Sequence, residues 1–150
     1  MLKYDKFVSI ICEFADTNGY DMGDIYISHG GAMLTMGFKE STGDVDAHVT
    51  QEIWDDQLIK TGNVPVDLGN GVYLLEVDEN IDIHIGALRP SESRIRTHSS
   101  GYRYSDMWQT LEDYKLLNRD KDRGSIMRLE LEIASNHNCP FCGYEHIGNC

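Results

Sequence analysis

Apolar residues near the start of the chain recur at helical spacing. Phe7, Ile10, Ile11 and Phe14 fall at i, i+3, i+4 and i+7, which predicts an amphipathic helix over 4–16, stopped by Asn18-Gly19. The period then shortens to two: residues 24–28 alternate as a strand does and lead into His29-Gly30-Gly31. A short helix over 32–36 is expected after the glycines, then a polar connection over 37–43 and a strand over 44–49. Residues 52–60 read as a helix closed by Gly62. Asn70-Gly71 marks a turn between the stretch 64–68 and a strand over 72–77, and Asp78-Glu79-Asn80 turns the chain again. The next run, Ile81-Asp82-Ile83-His84-Ile85, puts Asp82 and His84 on one face and the isoleucines on the other. Residues 91–104 read as a loop. Two helices, over 105–117 and 121–134, complete the pattern, the last with Ile126, Met127, Leu129 and Ile133 for its buried side. Gly124 inside it costs about 1 kcal/mol relative to alanine. This succession predicts an α/β or α+β fold, a mixed sheet of four or five strands flanked by helices.

A chain of 150 residues is long enough for one real core, expected over 1–135, with 136–150 as a short Cys/His-rich tail. Its formal net charge of -12 disfavours broad nonspecific binding of nucleic acid, which runs on surplus Lys and Arg. No apolar run approaches the roughly 18 residues needed to cross a bilayer, and the first residues lack a signal-peptide apolar block. A soluble, cytoplasmic protein without a membrane partner is the expectation. Cys12 stands alone, while Cys139, Cys142 and Cys150 crowd into the end, unlike a secreted disulfide framework.

The candidate chemistry begins at Gly30-Gly31 and continues at Asp44-Val45-Asp46. Carboxylates at i and i+2 on a strand share a face. Such a pair suits Mg²⁺, which binds one or two carboxylates and keeps open positions for phosphate oxygens. A Gly-Gly turn lets backbone N–H groups approach an anion because no Cβ intervenes. Asp82 supplies a third acid on a strand that can lie beside the first pair. An ionised acid between two isoleucines needs a partner or a metal. Three such acids can hold one or two divalent ions, with Asp82 either a further ligand or the acceptor of a proton from an attacking hydroxyl.

These residues resemble the nucleotidyltransferase superfamily typified by DNA polymerase β. The resemblance rests on His29-Gly30-Gly31, on Lys39-Glu40-Ser41-Thr42-Gly43-Asp44-Val45-Asp46, and on Ile81-Asp82-Ile83-His84. The segment from Leu117 to Arg123 looks like the Arg-x-Lys-Asp stretch of small adenylyltransferases that modify antibiotics. Nucleotidyltransferase toxins of toxin–antitoxin and phage-exclusion systems are similar. The resemblance covers residues 24–133 and implies a nucleoside triphosphate donor, Mg²⁺ or Mn²⁺, and a hydroxyl acceptor on a small molecule, an RNA or a protein. It places Gly30 and Gly31 on the triphosphate, with Lys39, Thr42 and Lys121 as further contacts, Asp44 and Asp46 on the metal, and Asp82 at the acceptor. Lys39 stands where arginine is frequent, which forfeits a bidentate contact. The chain is short for the family, so a homodimer is a candidate for completing the acceptor site.

Other features carry alternatives. His29, His48 and His84 flank the expected site without an assigned role. Arg89, Arg94, Arg96 and Arg103 either gather around phosphates or form a solvated loop on an acidic protein. Trp54 and Trp108 fit helix packing better than base stacking. Cys139, Cys142, His146 and Cys150 offer soft ligands for a structural Zn²⁺, with His137 a competing ligand. A catalytically silent module that senses nucleotide or binds a partner through this tail is the alternative reading.

Overall fold

A computed structural model describes residues 1–87 and 89–136. In chain order the elements are β1 (Leu2–Lys3), α1 (Tyr4–Asn18), β2 (Ile25–Ile27), α2 (His29–Thr35), β3 (Ser41–Thr42), β4 (Val45–Val49) and α3 (Gln51–Thr61). They continue with β5 (Val66–Gly69), β6 (Val72–Glu76), β7 (Ile81–Ile85), β8 (Ile95–Thr97), β9 (Arg103–Ser105), α4 (Met107–Leu117) and α5 (Arg123–Asn136).

Seven strands form one mixed sheet in the order β5-β6-β7-β4-β2-β9-β8, with β4 parallel to β7, β2 parallel to β9, and the other pairs antiparallel. The short β1 and β3 pair separately. Asn70 and Gly71 both take positive φ, 55° and 79°, the geometry of a tight hairpin turn whose twist matches strands β5 and β6.

The core lies on one face of this sheet. Phe7 and Ile11 of α1 and Ile53 and Trp54 of α3 pack on Ile25, Ile27, Val45, Ala47, Ile81 and Ile83. Full burial of each large aliphatic or aromatic side chain contributes about 1.5–3 kcal/mol. A second cluster, Met33, Met107, Tyr114 and Leu129, joins α2, α4 and α5.

Four expectations need correction. The sheet has seven strands because residues 95–97 and 103–105, read as loop, pair as β8 and β9. Those strands are short and arginine-rich, so no apolar period announces them. Backbone hydrogen bonds and the buried Ile95 and Tyr102 hold them. The glycine pair is no turn: α2 begins at His29, so both glycines sit in its first turn. The connection over 37–43 contains β3. Met127 is 64% exposed, since Ile126, Leu129 and Ile133 already occupy the face of α5 turned to the second cluster.

Candidate functional site

Strand alternation builds the site. With Val45, Ala47, Ile81 and Ile83 committed to the core, Asp46, His48, Asp82 and His84 emerge on the opposite face. Register aligns them: Asp46 lies beside Asp82, and His48 beside His84, on neighbouring parallel strands. Asp44 immediately precedes β4.

A cleft of about 670 Å³ opens over this face. Its walls bring together Gly30, Gly31, Lys39, Thr42, Asp44, Asp46 and Lys121, all named from the sequence. Asp82 stands one strand back, between Asp46 on β4 and Glu76 on β6, and does not line the cleft.

Asp44, Asp46 and Asp82 form no ion pair among the described residues. Burial raises the Asp46 carboxyl above the ordinary carboxylate range, and Asp44 adds to this against the opposing influence of His84 and His29. Burial, then Asp46, Asp44, Glu76 and Asp78, pushes Asp82 up to about 6. Raised carboxyls such as these would be relieved by a bound cation. Among the described residues no three His, Cys, Asp or Glu side chains stand close enough to enclose a metal ion. The donor set therefore fits an ion that keeps water and phosphate oxygens as ligands, the habit of Mg²⁺, and not a closed protein cage.

The two glycines differ in duty. A Cβ on Gly30 would point into the cleft, 3.2 Å from Thr42 Oγ1 and 3.7 Å from Lys39 Nζ. A Cβ on Gly31 would point into the core, 2.5 Å from Ile27 Cγ2 and 2.8 Å from Phe7 Cζ. Gly31 thus lets α2 settle on the sheet. The helix is seven residues long, too short for its dipole to carry an anion site, so Gly30, Lys39 and Thr42 make the usable cradle.

Beside the cleft lies a second cavity of about 290 Å³ that shares Ser28, His29 and His48 with it and adds Tyr26, Arg89, Gln109 and Asp113. His29 has φ of 55°, rare for a side chain other than glycine. Its Nδ1 lies 2.8 Å from Ser28 Oγ, which in turn is 3.1 Å from His48 Nε2. Tyr114 meets the His29 ring edge-on at 5.7 Å. Burial holds His29 below the usual histidine range. Burial, then His84, His29 and Arg89, lowers His48 to about 4, so its imidazole is neutral at physiological pH.

Most of the arginine cluster resolves as ion pairs. Arg94 meets Glu112 at 3.3 Å, Arg96 meets Asp106 at 3.8 Å, and Arg103 pairs with Glu92. Trp54 is in the main core, and Trp108 packs on the second cluster.

No family model matches the sequence, and no curated protein matches it either. Solved structures do. A solution structure of the antibiotic-resistance factor ANT(2'')-Ia aligns with a TM-score of 0.53 and 15% identity, over 86% of this chain and 82% of that one. A crystal structure of ANT(2'')-Ia in complex with adenylyl-2''-tobramycin aligns at 0.50 and 13%, over 87% and 89%. Both are structures of an aminoglycoside nucleotidyltransferase. The chain has a nucleotidyltransferase-like fold.

Within the nucleotidyltransferase-like fold, the cleft also holds residues that motif reading did not assign. Arg119 and Asp122 line it beside Lys121, joined at 2.6 Å from Arg119 Nε to Asp122 Oδ2. The Leu117–Arg123 segment was their signal. Gln109 and Asp113 had none, because only the packing of α4 against α2 brings them near His29, and Tyr26 had none beyond its place on β2. The candidate zinc ligands Cys139, Cys142, His146 and Cys150, the competing His137 and the tail 137–150 lie outside the described residues. No helix among the described residues is long and apolar enough to cross a membrane.

Proposed function

We propose that this protein is a metal-dependent nucleotidyltransferase that moves a nucleoside monophosphate from a nucleoside triphosphate to a hydroxyl acceptor. The observation that carries the reading is Asp44 and Asp46, without an ion pair among the described residues, in a cleft also lined by Gly30, Lys39, Thr42 and Lys121. The adenylyl-2''-tobramycin complex of the structural neighbour supports the same class of transfer.

Asp44 and Asp46 would hold a Mg²⁺ or Mn²⁺ ion, which when bound neutralises phosphate charge and favours in-line displacement. Lys39 and Lys121 offer ammonium groups to the triphosphate, and the missing side chain at Gly30 leaves room for it. Asp82, pushed up to about 6 and aligned with Asp46 across the β4–β7 pair but off the cleft wall, would take the proton of the attacking hydroxyl only from an acceptor that reaches past Asp46. The phosphorus–oxygen bond to pyrophosphate breaks as the bond to the acceptor oxygen forms.

The test is incubation with labelled triphosphates, Mg²⁺ and acceptors of each class, reading label in the acceptor and released pyrophosphate. Asp46→Asn should stay folded and lose about 10³-fold in rate, equivalent to about 4 kcal/mol of transition-state stabilisation. A folded Asp46→Asn protein that transfers at the wild-type rate refutes the assignment.

A further inference from the structure

The 290 Å³ cavity beside the cleft is lined by a cation, Arg89, that has no carboxylate within 4 Å among the described residues. Six of the seven arginines have a carboxylate within 4 Å among the described residues: Arg94, Arg96, Arg103, Arg119, Arg123 and Arg128. Arg89 forms no ion pair among the described residues. Its guanidinium lies over the Tyr26 ring, 5.2 Å from the centroid. Stacking on an aromatic face fixes the plane of the guanidinium and leaves its N–H edges open. In a chain of net charge -12 this is a selective arrangement, because acids that could have neutralised it are plentiful elsewhere.

The polar groups beside Arg89 are held in place by one another. His48 Nδ1 is buried with no hydrogen-bond partner among the described residues. Its other nitrogen, Nε2, meets Ser28 Oγ, which also meets His29 Nδ1. Nδ1 has almost no accessible surface, so His48 holds Ser28 in place through Nε2, and Ser28 lines the cavity. The one acid on this wall, Asp113, is already engaged: Gln109 Nε2 donates to it at 2.9 Å, and His29 lies within its electrostatic reach.

We propose that this cavity is the acceptor subsite and that it selects an acceptor bearing an oxyanion, a phosphate monoester or a carboxylate, near the hydroxyl that is modified. Arg89 provides the charge-assisted contact, and Ser28, His29 and His48, which line both spaces, connect the subsite to the cleft. The inference rests on the nucleotidyltransferase reading for the word acceptor, but its test does not require turnover.

Calorimetric binding to the full chain, without triphosphate, would compare ribose 5-phosphate with ribose, gluconate with sorbitol, and glucosamine as a cationic probe. At least a tenfold advantage for one anion over its neutral counterpart is expected, and which pair shows it assigns phosphate or carboxylate. Arg89→Ala should remove most of that advantage, and Arg89→Lys should retain part of it. Arg89 is exposed, so both variants should fold. Lys121→Ala should leave the advantage in place. The proposal is overturned if neither anion is preferred, if glucosamine binds more tightly than the anions, or if the preference survives Arg89→Ala. It is also overturned if the preference disappears in Lys121→Ala, which would put the anion in the triphosphate cleft. Label transfer measured on the same samples separates the readings. Transfer without anion preference removes only the acceptor assignment, and anion preference without transfer removes the catalytic one.

Discussion

Gly30 and Gly31 look interchangeable in the sequence, yet alanine at each should do opposite things. At Gly31 the added methyl would sit 2.5 Å from Ile27 Cγ2 and 2.8 Å from Phe7 Cζ, about 1 Å inside ordinary carbon–carbon contact of about 3.5–4.0 Å. Ile27 and Phe7 are both fully buried, so neither can retreat into solvent. Overpacking of this kind costs about 1–3 kcal/mol, and the better helix propensity of alanine returns at most about 1 kcal/mol. A net loss of about 2 kcal/mol corresponds to a Tm lower by about 4–8 °C in a domain of this size. At Gly30 the methyl would meet only the ends of Thr42 and Lys39, which can rotate away. Gly30→Ala should therefore keep its Tm within about 2 °C while weakening triphosphate binding, because the same two side chains line the cleft. Thermal melts and urea titrations with unchanged m-values read the first effect, and nucleotide titration reads the second. The reasoning fails if Gly31→Ala is as stable as the parent, or if Gly30→Ala is the less stable of the two.

Three further outcomes are expected. Chelation should abolish transfer without lowering Tm in ligand-free protein, since no enclosed metal site is found among the described residues; a large fall in Tm would contradict this. His48 holds its proton only below about pH 4 when folded but near pH 6.5 when unfolded, so the unfolded chain gains a proton first as pH falls. Stability should thus decline from pH 6.5 toward 4, and His48→Gln should flatten that slope in a comparison of unfolding free energies with the parent. Tyr102 is fully buried and its hydroxyl lies 2.7 Å from Thr35 Oγ1, which keeps a 2.8 Å bond to the Gly31 carbonyl. Tyr102→Phe should cost about 1 kcal/mol in urea unfolding, and a loss above about 3 kcal/mol would show that the hydroxyl supports more than this contact.

Local periodicity made part of the site legible. In Ile81-Asp82-Ile83-His84-Ile85 and Val45-Asp46-Ala47-His48 the period of two sends acids and histidines to one face, whatever the strands later pair with. The main helices follow from apolar spacing and from stop residues such as Gly62 for the same reason: both depend on neighbours a few positions away. Seven of the eight residues named for the triphosphate and Mg²⁺ accordingly line one cleft. Pairing is different, because its free energy comes from contacts distant in sequence. Only the fold sets β7 beside β4, so that Asp82 is aligned with Asp46 but kept off the cleft wall. The same long-range packing recruits residues 95–97 and 103–105 into the sheet, aims Gly30 at the cleft and Gly31 at Phe7, and lays Arg89 across Tyr26. Composition and spacing chose the chemical groups and their faces; tertiary packing decided which of them meet, because only burial against distant partners selects one pairing from many.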